Sequence, residues 1–161
     1  MAITRGGRYR SAPGIAAFVA LILVIVFGNP SYARWADRQD GHRAGGFFLQ
    51  QLSWPRWTFS TRDSVQTLLA NDLKALLLIL FAALFVSLLV STQLARARAS
   101  LAQFFAGWGA YLFAAVFAGL IAAWLQVHAS LYGAFLWAAS GAIYGLFVGW
   151  IIGLAVFGAR R

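Results

Sequence analysis

Between Ala99 and Ala159 the chain carries no Lys, Arg, Asp or Glu, and small residues recur through that stretch at spacing four. Ala102, Ala106, Ala110, Ala114, Ala118 and Ala122 form one row, and Gly141, Gly145, Gly149 and Gly153 form another. In a bilayer, where lipid tails are as apolar as leucine, such rows let helix backbones come close enough for dispersion to hold them together. The back half therefore reads as a packed membrane hairpin.

A step of four residues turns a helix by about 400°, so a spacing-four row drifts about 40° per step. The alanine row cannot face one straight neighbour along its whole length, and its two ends are expected to serve two contacts. The glycine row is reinforced by Ala134, Ala138 and Ala142. It resembles the glycine zipper of membrane helices, which unrelated pore-formers, channels and scaffolds share. Phe147, Trp150, Ile151 and Leu154 fall on the opposite side of that helix. The expected partner of the glycine face is the preceding helix, held antiparallel by a short turn near His128. Self-association through the same face is the second reading. A water-filled pore ranks last, because the surrounding Phe, Leu, Ile and Trp offer no polar lining.

A hydrophobic content of 61% against 11% charged residues places the 161-residue chain in the membrane class. A membrane core of about 30 Å needs about 20 apolar residues in a helix. Four segments satisfy this, giving an all-α integral membrane protein of one domain with spans over 11–30, 73–94, 100–126 and 131–158. Arg5, Arg8 and Arg10 precede the first span, Arg96 and Arg98 separate the second from the third, and Arg160 and Arg161 end the chain. All four acids, Asp37, Asp40, Asp63 and Asp72, fall in the long loop over 31–72. The positive-inside rule then puts both termini and the Arg96 loop in the cytoplasm, with the long loop and the His128 turn outside. A rival reading takes the basic start, the apolar core and Ser31-Tyr32-Ala33 as a signal peptide with its cleavage site, which leaves three spans.

The charge of +9 follows this orienting pattern rather than a nucleic-acid surface. Cysteine is absent, which excludes disulfides, thiolate nucleophiles and Cys-ligated metal. Glutamate is absent too, and Lys74 is the only lysine. Heavy use of Ala, Gly and Arg suggests a bacterial source, hence the bacterial inner membrane.

The long loop is too rich in aromatics for a disordered linker. Trp35, Phe47, Phe48, Trp54, Arg56 and Trp57 are expected to lie at the headgroup level, either as an interfacial anchor or as a docking surface for a subunit or a lipid. Asp63 and Gln66 form a capping pair that starts the second long helix outside the membrane, so that Val65, Leu68, Leu69 and Asp72 project beyond it.

The string Asp37-Arg38-Gln39-Asp40-Gly41-His42-Arg43-Ala44-Gly45 resembles the opening of the CDP-alcohol phosphatidyltransferase signature. The resemblance implies metal-binding acids that activate a lipid head-group exchange, here Asp37 and Asp40 with His42 beside them. Gly45 stands where the family has Arg, no second acidic pair follows at the required spacing, and the string lies in the outer loop. A metal site normally needs a third or fourth convergent ligand, so no metal or cofactor is expected. Ionisable groups in mid-membrane mark ion or proton paths; Asp72, Lys74 and His128 all fall at outer ends, within expected reach of water. Ser87, Ser91, Thr92, Gln93, Gln103, Gln126 and Ser140 remain as neutral groups able to bond a neighbouring helix.

Together these features point to a non-enzymatic accessory, stabilising or assembly subunit of a larger membrane complex, with lipid and other integral subunits as partners. The alternative is a small transporter or channel assembled as a homo-oligomer through the glycine face. A lipid-acting enzyme using Asp37 and Asp40 comes third.

Overall fold

The computed structural model describes residues 12–57, 65–92, 101–126 and 130–158. These form six helices: α1 (Ala12–Phe27), α2 (Pro30–Ala36), α3 (Ala44–Leu52), α4 (Val65–Thr92), α5 (Leu101–Ala123) and α6 (Leu131–Gly158). Three of them, α4, α5 and α6, are long and apolar enough to cross a membrane. The His128 turn, Asp63 and the terminal and Arg96 basic clusters lie outside the described residues.

Within the first expected span, over 11–30, the described helix α1 ends at Phe27. Helix α1 runs 16 residues, about 24 Å at 1.5 Å per residue, and then bends by 67° into α2. The break has a local cause. Pro30 has no N–H to continue α1, and Asn29 adopts an extended backbone (φ −69°, ψ 149°) as the cap of α2. Its side-chain oxygen accepts from the N–H groups of Ser31 and Tyr32, both at 2.9 Å, while its Nδ2 donates to the Val26 carbonyl at 2.7 Å. One side chain thereby satisfies the end of one helix and the start of the next.

Helix α1 packs mainly on α4 through small residues. Ala12, Ala16, Ala20 and Leu23 are buried on one side of α1, as are Ala75, Leu78, Ala82 and Val86 on α4, each at helical spacings of three and four. Helix α4 then packs on α5 through an aromatic seam in which Phe81 and Phe85 meet Phe117, and Phe85 also meets Phe113.

The α5–α6 pair is antiparallel and very close. A Cβ at Gly145 would stand 2.6 Å from Leu112 Cα, and one at Gly153 would stand 2.7 Å from the Phe104 carbonyl oxygen. Gly141 abuts the Ala115 carbonyl, and Gly149 lies against the Trp108 indole. The glycine row thus meets Phe104, Trp108, Leu112 and Ala115, a mixed stripe dominated by large side chains. The alanine row drifts away from that contact: Ala110, Ala114, Ala118 and Ala122 are buried, Ala106 is half-buried and Ala102 is exposed. Bared backbone on α6 also takes a polar group. Trp108 Nε1 donates to the carbonyls of Gly145 (3.2 Å) and Leu146 (3.0 Å), which a side chain at either neighbouring glycine would obstruct. One turn away, the buried Tyr111 and Tyr144 hydroxyls pair at 2.8 Å.

The segment between α1 and α4 carries most of the loop aromatics singled out above. It folds back on the helices. Phe47 of α3 meets Phe147 of α6 edge-on at 5.4 Å, and Trp54 stacks on Tyr144 at 4.9 Å and 17°. Tyr144 lies about 20 Å along α6 from Leu131, so the segment reaches the middle of that helix. Trp57 closes it onto α1: its backbone N–H donates to the Gly28 carbonyl at 3.0 Å and its Nε1 to the Val24 carbonyl at 3.1 Å. Gly28 permits this approach, because a Cβ there would stand 2.5 Å from the Pro55 carbonyl oxygen.

Candidate ligand-binding cavity

Where α3 ends, the chain turns through Ser53, Trp54 and Pro55 and leaves a cavity of about 290 Å³ against α4 and α6. Lys74 enters from α4, Trp137 and Ser140 from α6, and Gln50, Ser53, Trp54 and Arg56 from α3 and the turn after it. The turn is held by local bonds. Ser53 Oγ donates to the Gln50 carbonyl at 2.8 Å, and Arg56 reaches back to Ser53 Oγ at 3.3 Å. Trp54 Nε1 donates to Ser140 Oγ at 2.9 Å, and Ser140 in turn donates to the Trp137 carbonyl at 2.8 Å. The indole of Trp54 is thereby pinned at both its polar edge and, through Tyr144, its face.

Lys74 sits at only 6% exposure, contrary to the expectation that a residue at the outer end of its helix would reach water. Its Nζ stands 4.8 Å from the centre of the Trp54 ring and 5.0 Å from that of Trp137. The negative faces of two indoles compensate part of the cost of withdrawing an ammonium from water. Its one hydrogen bond among the described residues is long, to Asn71 Oδ1 at 3.4 Å. Among the described residues the ion pairs are Arg56–Asp37 at 3.1 Å and Arg43–Asp40 at 3.4 Å, and Lys74 belongs to neither. An ammonium has three donors. The cavity therefore holds a buried lysine amine and, on its wall, Arg56, at 42% side-chain exposure and paired with Asp37.

The six loop residues singled out from the sequence separate into different roles. Trp54 and Arg56 come together in the cavity. Phe48 and Trp57 pack against the helix core, and Phe47 is engaged with Phe147. Trp35, at 46% exposure, is the one that stands outward. Asp37 and Asp40 each face an arginine rather than one another, and His42 N–H donates to Asp40 Oδ1 at 3.0 Å within a turn. Ser31-Tyr32-Ala33 forms the capped start of α2, with Ala33 buried.

Sequence reasoning passed over Lys74 as a rim group. One signal was present: in a chain that uses arginine at every other basic position, the single lysine marks a site suited to a compact point charge rather than a planar fork. No family model, curated protein or solved structure matches the chain.

Proposed function

We propose that this chain is a non-enzymatic, four-span protein of the bacterial inner membrane, with α1 as the first span, both termini inside and the segment from α2 to the start of α4 outside. In this reading it serves as an accessory subunit of a larger membrane complex and holds an anionic group in its outer cavity. The observation that carries the proposal is Lys74, buried between two indoles beside Arg56 with no carboxylate partner among the described residues. Breaking a buried ion pair leaves a costly unpaired charge, so a site in that condition is suited to a ligand that completes it.

The rival routes find less support in the geometry. The glycine face of α6 is covered by α5, so oligomerisation through it would require α5 to be displaced. Asp37 and Asp40 are engaged with Arg56 and Arg43. Co-purification from native membrane in mild detergent, followed by native mass spectrometry, tests the proposal. The expected result is recovery with other integral membrane subunits and with a bound anionic mass. Recovery of this chain alone, free of any bound mass, would overturn it.

A further inference from the structure

Arg56 lines a second cavity besides the one around Lys74. This second space, of about 380 Å³, lies between α2 and α4 and includes Arg34, Asp37 and Asn71. Trp57 lines it in turn, and also lines a third space of about 330 Å³ in which Leu21 and Val24 of α1 face Ala75, Leu76 and Ile79 of α4, with Asp72 at the edge. Along α4 the lining residues progress around the helix: at about 100° per residue, Lys74, Asn71, Ala75, Ile79 and Leu76 follow one another in angular order. The three spaces form a collar around the outer part of α4, cationic at one end and apolar at the other. Arg56 lines both the first and the second, and Trp57 both the second and the third.

We infer that the collar holds one anionic phospholipid, its phosphate between Lys74 and Arg56 and an acyl chain in the α1–α4 groove. The inference rests on reading the cavity as an anion site and adds the identity of the ligand. Charge complementarity selects the headgroup: Lys74 has no carboxylate partner among the described residues, and Arg56, though paired with Asp37, has further N–H donors to offer. The groove selects the rest of the molecule. A free phosphate ion would fill the first space and leave the third unexplained. The groove opens on the apolar flank of the bundle, where Leu21 and Leu76 at its edges are 40% and 65% exposed; in the proposed topology that flank meets lipid. An amphiphile held by its phosphate therefore needs no passage through water to place its chain.

The test uses the full-length protein in mild detergent, stripped of lipid and then supplied with phosphatidylglycerol or phosphatidylcholine carrying identical chains. Native mass spectrometry reads the first bound lipid. Retention of phosphatidylglycerol is expected to exceed that of phosphatidylcholine on the order of tenfold, the scale of about one net positive charge, Lys74 and Arg56 less Asp37, acting on one extra negative charge. Lys74→Met should erase the preference, and Arg56→Gln, at the more exposed wall, should reduce it in a protein whose fold is less at risk. Ala75→Trp, which fills the groove, should lower retention of both lipids alike. Millimolar inorganic phosphate is the second arm. If it raises the thermal unfolding midpoint of wild type but not of Lys74→Met, while the two lipids bind equally, the anion reading survives and the lipid assignment is overturned. Equal lipid retention with no response to phosphate overturns both.

Discussion

At the scale of single residues, Lys74 is buried against two indole faces with a long hydrogen bond to Asn71. Replacing it by methionine keeps the stem and removes the charge. In lipid-free detergent Lys74→Met is expected to be neutral or stabilising by up to about 2 kcal/mol, since substituting a buried charge by an apolar group of similar volume has that sign. Thermal unfolding in mild detergent reads this, and a clear loss of stability would mean that the indoles already compensate the ammonium fully. Trp108 presents the opposite case. Its N–H is shared between two α6 carbonyls, and Trp108→Phe should cost about 0.5–1.5 kcal/mol by the same measurement, the range for an interhelical hydrogen bond in a membrane protein. Since the ring still fills the space against Gly149, most of that loss belongs to the hydrogen bond.

At the scale of elements the α5–α6 pair is the tightest contact, and its closeness depends on the absence of side chains on α6. Gly145→Leu and Gly149→Leu should each force the helices apart and cost about 1–3 kcal/mol through lost dispersion and strain. The contrast lies on α5. Ala110→Leu and Ala114→Leu enter the buried core and should act similarly, whereas Ala102→Leu, at an exposed position of the same row, should change little. Unfolding midpoints of the five variants decide the matter: equal behaviour of Ala102→Leu and Ala114→Leu would mean that the row packs as one uniform face. The spacing-four pattern was legible as a close contact, but not its register. Which residues oppose the glycines depends on where the two helices cross, and no periodicity within one helix contains that.

At the scale of the whole molecule the orientation rests on arginine placement. A reporter fused after Arg161 and one inserted near Arg98 should both read cytoplasmic, and one near Gly45 should read external. An external C-terminus would invert the proposed topology and put the Lys74 cavity on the cytoplasmic side. With the proposed orientation, the cavity and its apolar groove open toward the outer leaflet, and the outer segment acts as a cap that links α1, α4 and α6.

What the sequence determined by itself was set by solvent and by chain geometry. Long uncharged runs have nowhere to bury except hydrocarbon, and a helix is the one local structure that satisfies its own backbone there; hence α4, α5 and α6, and the close approach along Gly141 to Gly153, could be read directly. The end of the first helix near Pro30 was legible from residue type, but the 67° turn into α2 was not. The fate of the loop aromatics was decided only by tertiary structure. Trp and Phe are equally content at an interface or in a core, so Trp54 and Trp57 carried no mark of turning inward until Gly28, Tyr144 and Ser140 were brought beside them. The burial of Lys74 has the same origin. Its depth is set by two indoles and a turn from distant parts of the chain, and a charge three-dimensionally enclosed in this way looks, in one dimension, like any residue at a helix end.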